Sequence, residues 1–247
     1  MLASRGSRAL AVLVAGVLAA AVGCALQLSG ALNDTERATV AERFALRHVP
    51  KPEGITVVSI DDVTFDALRR QWPFPRSWHG RVIDALHEAG AREIVYDVQF
   101  TEPTKPREDM ALYDAVGRAG GALLATSEMD DHGRTAVLGG DANLAQVHAR
   151  AAAANLADDP DGRVTRVRDA VSHLPTLAVA AAERLTGRPV PRAAFGGGGA
   201  WIDYRGGPGT FPTLSFADVL KGRFDPRLVR GRIVVIGAGS PTLQDVH

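Results

Sequence analysis

The chain has 247 residues, 46% hydrophobic and 23% charged, which is enough to bury the core of one large domain or two small ones and too apolar for a disordered chain. Lys+Arg and Asp+Glu both number 28, and no basic tract or zinc-finger spacing accompanies that zero formal charge, so the chain is read as binding no nucleic acid. The single cysteine, Cys24, excludes an intramolecular disulfide, a multi-thiolate metal site and a thiol enzyme in everything that follows it.

Residues 1–8 carry Arg5 and Arg8, and residues 9–30 carry no charge at all. At 1.5 Å rise per residue, ~20 apolar residues match the roughly 30 Å hydrocarbon core, so 9–30 predicts a transmembrane helix or uncleaved signal anchor. The arginines precede the apolar run and the residues after it, Asp34, Glu36 and Arg37, are mixed, which places 1–8 in the cytoplasm. The expected location is the cell membrane, single-pass in this stretch, with residues after about 32 extracytoplasmic. A cleaved signal peptide, or a lipoprotein signal ending at Cys24, would export the remainder equally.

Residues 31–50 predict a polar helical stalk, capped at Asn33 or Asp34 and ended by the Pro50 to Gly54 stretch. ITVVSI (55–60) has the β-branched, apolar character of a buried strand, and Asp61-Asp62 can cap the short helix VTFDALRR after it. The turn WPFPR (72–76) follows. Ser77 can then cap a second helix, with Trp78, Val82, Ile83 and Leu86 at helical spacing and Gly90 at its end. EIVYDVQF (93–100) is the next strand, TEPTKPRED a Pro-rich loop, MALYDAVGRA a helix beginning near Asp109, and GALLATS (121–127) a third strand.

Farther on, DDHGR (130–134) and DDPDGR (158–163) predict turns, 142–154 a helix, and VTRVRDAVS an exposed strand. PTLAVAAAERL predicts a helix with Pro175 in its first turn, WIDY a strand, FADVLKG a short helix capped by Ser215, and RIVVIG (232–237) a final apolar strand. Strands alternating with helices imply a largely parallel or mixed sheet covered by helices, hence an α/β domain over 51–247.

Chemistry-bearing motifs are scarce. No HExxH pair, Gly-x-Ser-x-Gly elbow or Walker loop occurs, and the Gly196–Gly199 run lacks a phosphate-binding sequel. Gly237-Ala238-Gly239 starts a dinucleotide pattern that Thr242 breaks at the sixth position, and the seven histidines are scattered. No catalytic residue, metal site or cofactor is therefore assigned.

What remains is Asp61, Asp97 and Asp109, each at or after a strand's carboxyl end, the edge where open α/β sheets bind ligands. Together they would attract a cation or hydrogen-bond a polar ligand; singly, Asp61 and Asp109 are helix caps. Asp97 interrupts an apolar strand and needs a partner, for which Arg76 and Arg92 are nearest in sequence. Trp72, Pro73 and Pro75 rigidify a corner that holds Arg76, while Asp161-Gly162 is a turn beside Arg166.

In order, VVSIDD, WPFPR, AGAREIVYDVQF, Asn155-Leu156 with DDPDGRVTR, PTLAVAAAERL, WIDYRGGPGTFPTLSFADVLKGRF and RGRIVVIGAGSPTLQDVH resemble the CHASE2 sensor domains, over roughly residues 40–247. The resemblance implies an extracellular, non-enzymatic sensor placed ahead of bacterial adenylate or guanylate cyclases, histidine kinases or Ser/Thr kinases. It carries no ligand identity with it. Asp61, Arg76, Asp97, Asp109, Asp161 and Arg166 are candidate ligand-binding positions, with Trp72, Pro73, Pro75 and Gly162 as structural turn residues. The expected partners are a small-molecule or ionic ligand and the membrane, with the oligomeric state open between monomer and homodimer. The protein is expected to continue beyond His247 into further apolar spans and a cytoplasmic output domain. Two rival readings are an exported metal-dependent hydrolase using Asp61, Asp97 and Asp109, and a structural lipoprotein acylated on Cys24.

Overall fold

The computed structural model describes residues 3–28, 52–156, 164–196, 199–207 and 209–239. The chain divides into two units, residues 1–50 and 51–247. In the first, Ala3–Leu28 forms helix α1. Its large apolar side chains, among them Leu10, Val12, Leu13, Val17 and Leu18, are exposed. Among the described residues no helix is long and apolar enough to cross a membrane. Residues 29 and 30 of the expected span, and the expected stalk helix, lie outside the described residues.

In the second unit, Ile55–Ile60 is β1, Asp62–Leu68 α2, Arg76–Glu88 α3, Glu93–Asp97 β2, Pro106–Arg118 α4, Leu123–Thr126 β3, Asp141–Gln146 α5 and Arg150–Ala153 β4. Then come Arg166–Val167 as β5, Ala170–Val171 as β6, Leu174–Pro175 as β7, Leu177–Thr186 as α6, Ala200–Trp201 as β8, Thr213–Ser215 as β9, Phe216–Leu220 as α7 and Ile233–Ala238 as β10. Six strands make one sheet in the order β4-β3-β2-β10-β1-β9, and every pairing in it is parallel. The α/β sheet flanked by helices is thus as the alternation predicts. β5 with β8, and β6 with β7, form two small antiparallel ribbons.

Side chains alternate between the two faces of a strand, and the core divides accordingly. Val58, Ile60, Tyr96, Leu124, Val234 and Ile236 pack against α3, α4 and α7 in the larger cluster. Val95, Leu123 and Ala152 meet Ala180 of α6 in the smaller one. At the amino-terminal edge of β2, Glu93 Oε2 is 2.6 Å from Arg184 Nε of α6, and the same guanidinium donates to the carbonyls of His148 and Gly120.

Several local expectations are corrected. Ser77 does not cap α3: Pro75 is the cap residue, with φ −55°, and the Ser77 N–H donates instead to Glu108 of α4 at 2.8 Å. The helix expected over 142–154 stops at Gln146; His148 turns the chain at φ +55° and the alanines pair with β3. Alanine favours helix in isolation, but a small side chain also fits a strand buried on both faces, and tertiary pairing decides. Pro175 lies in β7 rather than in the first turn of α6, which Thr176 precedes. VTRVRDAVS is split between β5 and β6, and of WIDY only Trp201 belongs to a strand. Ser215 precedes α7 but makes no side-chain cap; its hydroxyl lies 3.1 Å from that of Thr64.

Candidate ligand-binding site

The loop between β2 and α4, residues 98–105, stands at the carboxyl edge of the sheet. It is held by its neighbours. Asp109, in the first turn of α4, accepts hydrogen bonds from the N–H of Thr104 at 2.8 Å and from its hydroxyl. Arg76, the first residue of α3, places Nη1 3.0 Å from Asp109 Oδ1 and donates through Nη2 to the carbonyl of Glu102. Its guanidinium carbon is 5.6 Å from the centre of the Phe100 ring. One buried cation thus ties the loop's backbone, the α4 N-terminus and an aromatic ring together.

Arg76 is positioned by the turn before it. The Trp72–Pro73 peptide is cis, and Phe74 stacks on Phe216 of α7 with centroids 5.7 Å apart. Trp72 and His79 meet edge to face at 5.8 Å, and the Nδ1 of His79 shares a 2.6 Å hydrogen bond with the hydroxyl of Tyr96. These ring contacts pack the corner against α3 and α7.

Two clefts flank the loop. One, of about 690 Å³, lies between the loop and residues 135–146, lined by Met110, Tyr113, Leu138 and Asn143. The other, of about 700 Å³, lies between the loop and the 70–76 corner, lined by Arg70, Trp72, Lys105, Glu108 and Glu128. Arg76, Phe100, Thr101 and Glu102 belong to the walls of both. Each has the size of a small-molecule site.

The electrostatics follow the contacts. At Asp109 burial pushes the carboxyl upward, but the hydrogen bonds from Thr104 and the Arg76 charge outweigh it and the pKa falls below the usual range. Hydrogen bonds from Ser77 lower Glu108 likewise. His79 is held down at about 3, chiefly by burial and secondly by the Arg76 charge, so the ring is neutral under physiological conditions. Burial pushes the Tyr96 hydroxyl up.

The three acids expected to converge do not. β10 lies between β1 and β2, so the ends bearing Asp61 and Asp97 stand about 10 Å apart, two strand spacings. Asp61 caps α2, accepting from the N–H and the hydroxyl of Thr64, each at 3.0 Å. Asp97 is exposed at the end of β2, although neighbouring protein removes enough water to raise its carboxyl. Its expected partners are engaged elsewhere: Arg76 with Asp109, and Arg92 with the carbonyl of Leu185. Neither Asp61 nor Asp97 lines either of these two clefts. Among the described residues there is no group of three His, Cys, Asp or Glu that could hold a metal ion.

Arg166 lies in the β5–β8 ribbon, its guanidinium carbon 4.1 Å from the centre of the Trp201 ring, and takes no part in either cleft. Asp161 and Gly162 lie outside the described residues. Phe100, Glu102, Lys105, Tyr113 and Asn143 were missed in the sequence. The one signal for them is the Pro-rich loop itself, set between a strand's carboxyl end and a helix.

The CHASE2 domain matches the chain over residues 11–247. The chain belongs to the CHASE2 family. CHASE2 is an extracellular sensory domain family, and it is not a catalytic one. No curated protein and no solved structure matches the chain. The clefts beside Arg76 give this CHASE2 domain concave surfaces of ligand size on the sheet edge where α/β folds hold ligands.

Proposed function

We propose that this chain is the extracytoplasmic ligand-sensing region of a membrane-bound receptor, anchored by α1, with the paired clefts around the 98–105 loop as the sensing site. The observation that carries this reading is the joint position of Arg76: a guanidinium in the walls of both clefts that also fastens the loop to α3 and α4. A ligand in either cleft touches the same bracing contacts, so differential affinity for two arrangements of the loop becomes a signal.

Anchoring is supported by the uncharged run 9–30 and by the arginines that precede it. The output is a cyclase or protein kinase domain encoded beyond His247. In the intact receptor, Arg76→Met should uncouple output from ligand while the purified protein still unfolds cooperatively. An output that responds normally in Arg76→Met refutes the role given to the site. Reading the coding sequence past His247 tests the rest: a stop codon there with no adjoining signalling gene contradicts the receptor assignment.

A further inference from the structure

The cleft between the 98–105 loop and the 70–76 corner has an unusual balance of charge. Six ionisable side chains other than His79 line it: Arg70, Arg76, Lys105, Glu102, Glu108 and Glu128. Two are already satisfied, Arg76 by Asp109 and Glu108 by the Ser77 N–H. The remaining four, two cations and two carboxylates, make no ion pair within 4 Å among the described residues, Arg70 lying instead 5.6 Å from the centre of the Trp78 ring, and all four are exposed. The half-buried Trp72 and the buried Phe74 and Phe100 line the same cleft.

A simple anion in this cleft meets two carboxylates, and a simple cation meets two cationic groups; each gains from one pair and is repelled by the other. An uncharged ligand gains no ion pair from any of the four. A ligand with separated charges of both signs satisfies both pairs, and an apolar body on it packs against the aromatic lining. We propose that this cleft binds a small zwitterion, an amino acid or close analogue with a free ammonium and a free carboxylate on a partly apolar body. Arg70 and Lys105 face its carboxylate, and Glu102 and Glu128 its ammonium. The proposal rests on the reading of this cleft as the sensing site and adds the chemical class of its ligand.

The test is titration calorimetry on the full chain in detergent micelles, with the twenty standard amino acids, the N-acetyl derivative of each and the amide of each. At least one free amino acid should bind saturably, and both of its derivatives about 10- to 100-fold more weakly, the loss of a charge-assisted hydrogen bond. Glu102→Gln with Glu128→Gln should erase the penalty for N-acetylation and leave the penalty for amidation; Arg70→Met with Lys105→Met should do the reverse. All four residues are exposed, so folding should persist, and a melting curve of each variant checks it. A derivative that binds as well as its parent overturns the zwitterion, as does failure of every amino acid at 10 mM, a concentration on the order of 100 times a micromolar-range Kd or more. Binding of an amino acid that neither pair of substitutions nor Trp72→Ala alters overturns instead the assignment of the site to this cleft.

Discussion

At the scale of single residues, the domain places two polar pairs where water is scarce. His79 is 2% exposed and bonded to the fully buried Tyr96. A base whose folded pKa is pushed down from 6.5 to about 3 stabilises the fold fully above 6.5 and loses that contribution as pH falls, because only the unfolded chain takes up the proton. At about 1.4 kcal/mol per pH unit the loss between pH 6.5 and 3 is on the order of 5 kcal/mol. Urea titrations across that range should show it, and His79→Phe should flatten the curve. At pH 7 the same variant should be less stable by about 1–3 kcal/mol, since the Tyr96 hydroxyl is left without its partner. The Arg76–Asp109 pair has the opposite character. Asp109, lowered in the fold, adds stability above the ordinary carboxylate range and loses it as pH falls through its folded pKa. Arg76→Met should cost about 2–3 kcal/mol at neutral pH, less than for a fully buried pair because the Asp109 side chain keeps 26% exposure.

Among the elements, α3 and α4 form a braced pair. Ser77 to Glu108 and Arg76 to Asp109 join their amino-terminal ends, and Arg118 grips Asp84 with two hydrogen bonds, of 3.0 and 2.8 Å, at the other. Between them Gly80 lets the helices approach: a Cβ there would lie 2.8 Å from the Ala111 carbonyl oxygen and 3.2 Å from the Ala115 Cβ. Gly80→Ala should therefore destabilise the domain by about 1–3 kcal/mol in a denaturant melt despite alanine's better helix propensity, and a stabilised variant would show the pair to be loose. On the other face, Arg184 holds α6 to the sheet through Glu93, whose Oε1 is buried with no hydrogen-bond partner among the described residues. Burial raises the Glu93 carboxyl against the opposing pull of Arg184. Arg184→Met strands that carboxylate and should cost ~3–5 kcal/mol at pH 7, with part of the loss recovered as pH falls and Glu93 takes up a proton; Glu93→Gln in the same chain should lessen it. The elements were legible where local pattern and packing agree: ITVVSI, the Val82, Ile83 and Leu86 face, and RIVVIG all fall where their periodicity puts them. The alanines at 151–153 were not, because a run of alanines fits helix and buried strand alike and only the pairing with β3 separates the two.

For the whole molecule, the misplaced acid site has a topological cause. Asp61 follows and Asp97 ends strands that are consecutive in sequence, yet the last of the described strands, β10, inserts between them, with Gly237 opposite Asp97. A non-local insertion leaves no periodic trace in the sequence around either aspartate, whereas the 98–105 loop is marked locally by Pro103 and by Pro106 at the start of α4. The same separation of local from global signals governs the anchor. The uncharged run 9–30 follows Arg5 and Arg8, and a helix spans Ala3–Leu28, but whether it lies in a bilayer depends on apolar length, which charge can undo. A charged residue near the centre of a spanning helix costs about 2.5–3.5 kcal/mol on insertion scales. Val14→Arg together with Leu18→Arg should consequently shift the chain from the membrane pellet to the soluble fraction by a factor of 10³ or more, on the order of 5–7 kcal/mol. An enzyme active only outside the cytoplasm, fused near residue 130, should work on the native chain and fail on this double variant. If the native fusion is inactive while a cytoplasmic reporter at the same site works, residues after about 32 are not exported, and the sensor cannot meet an extracellular ligand.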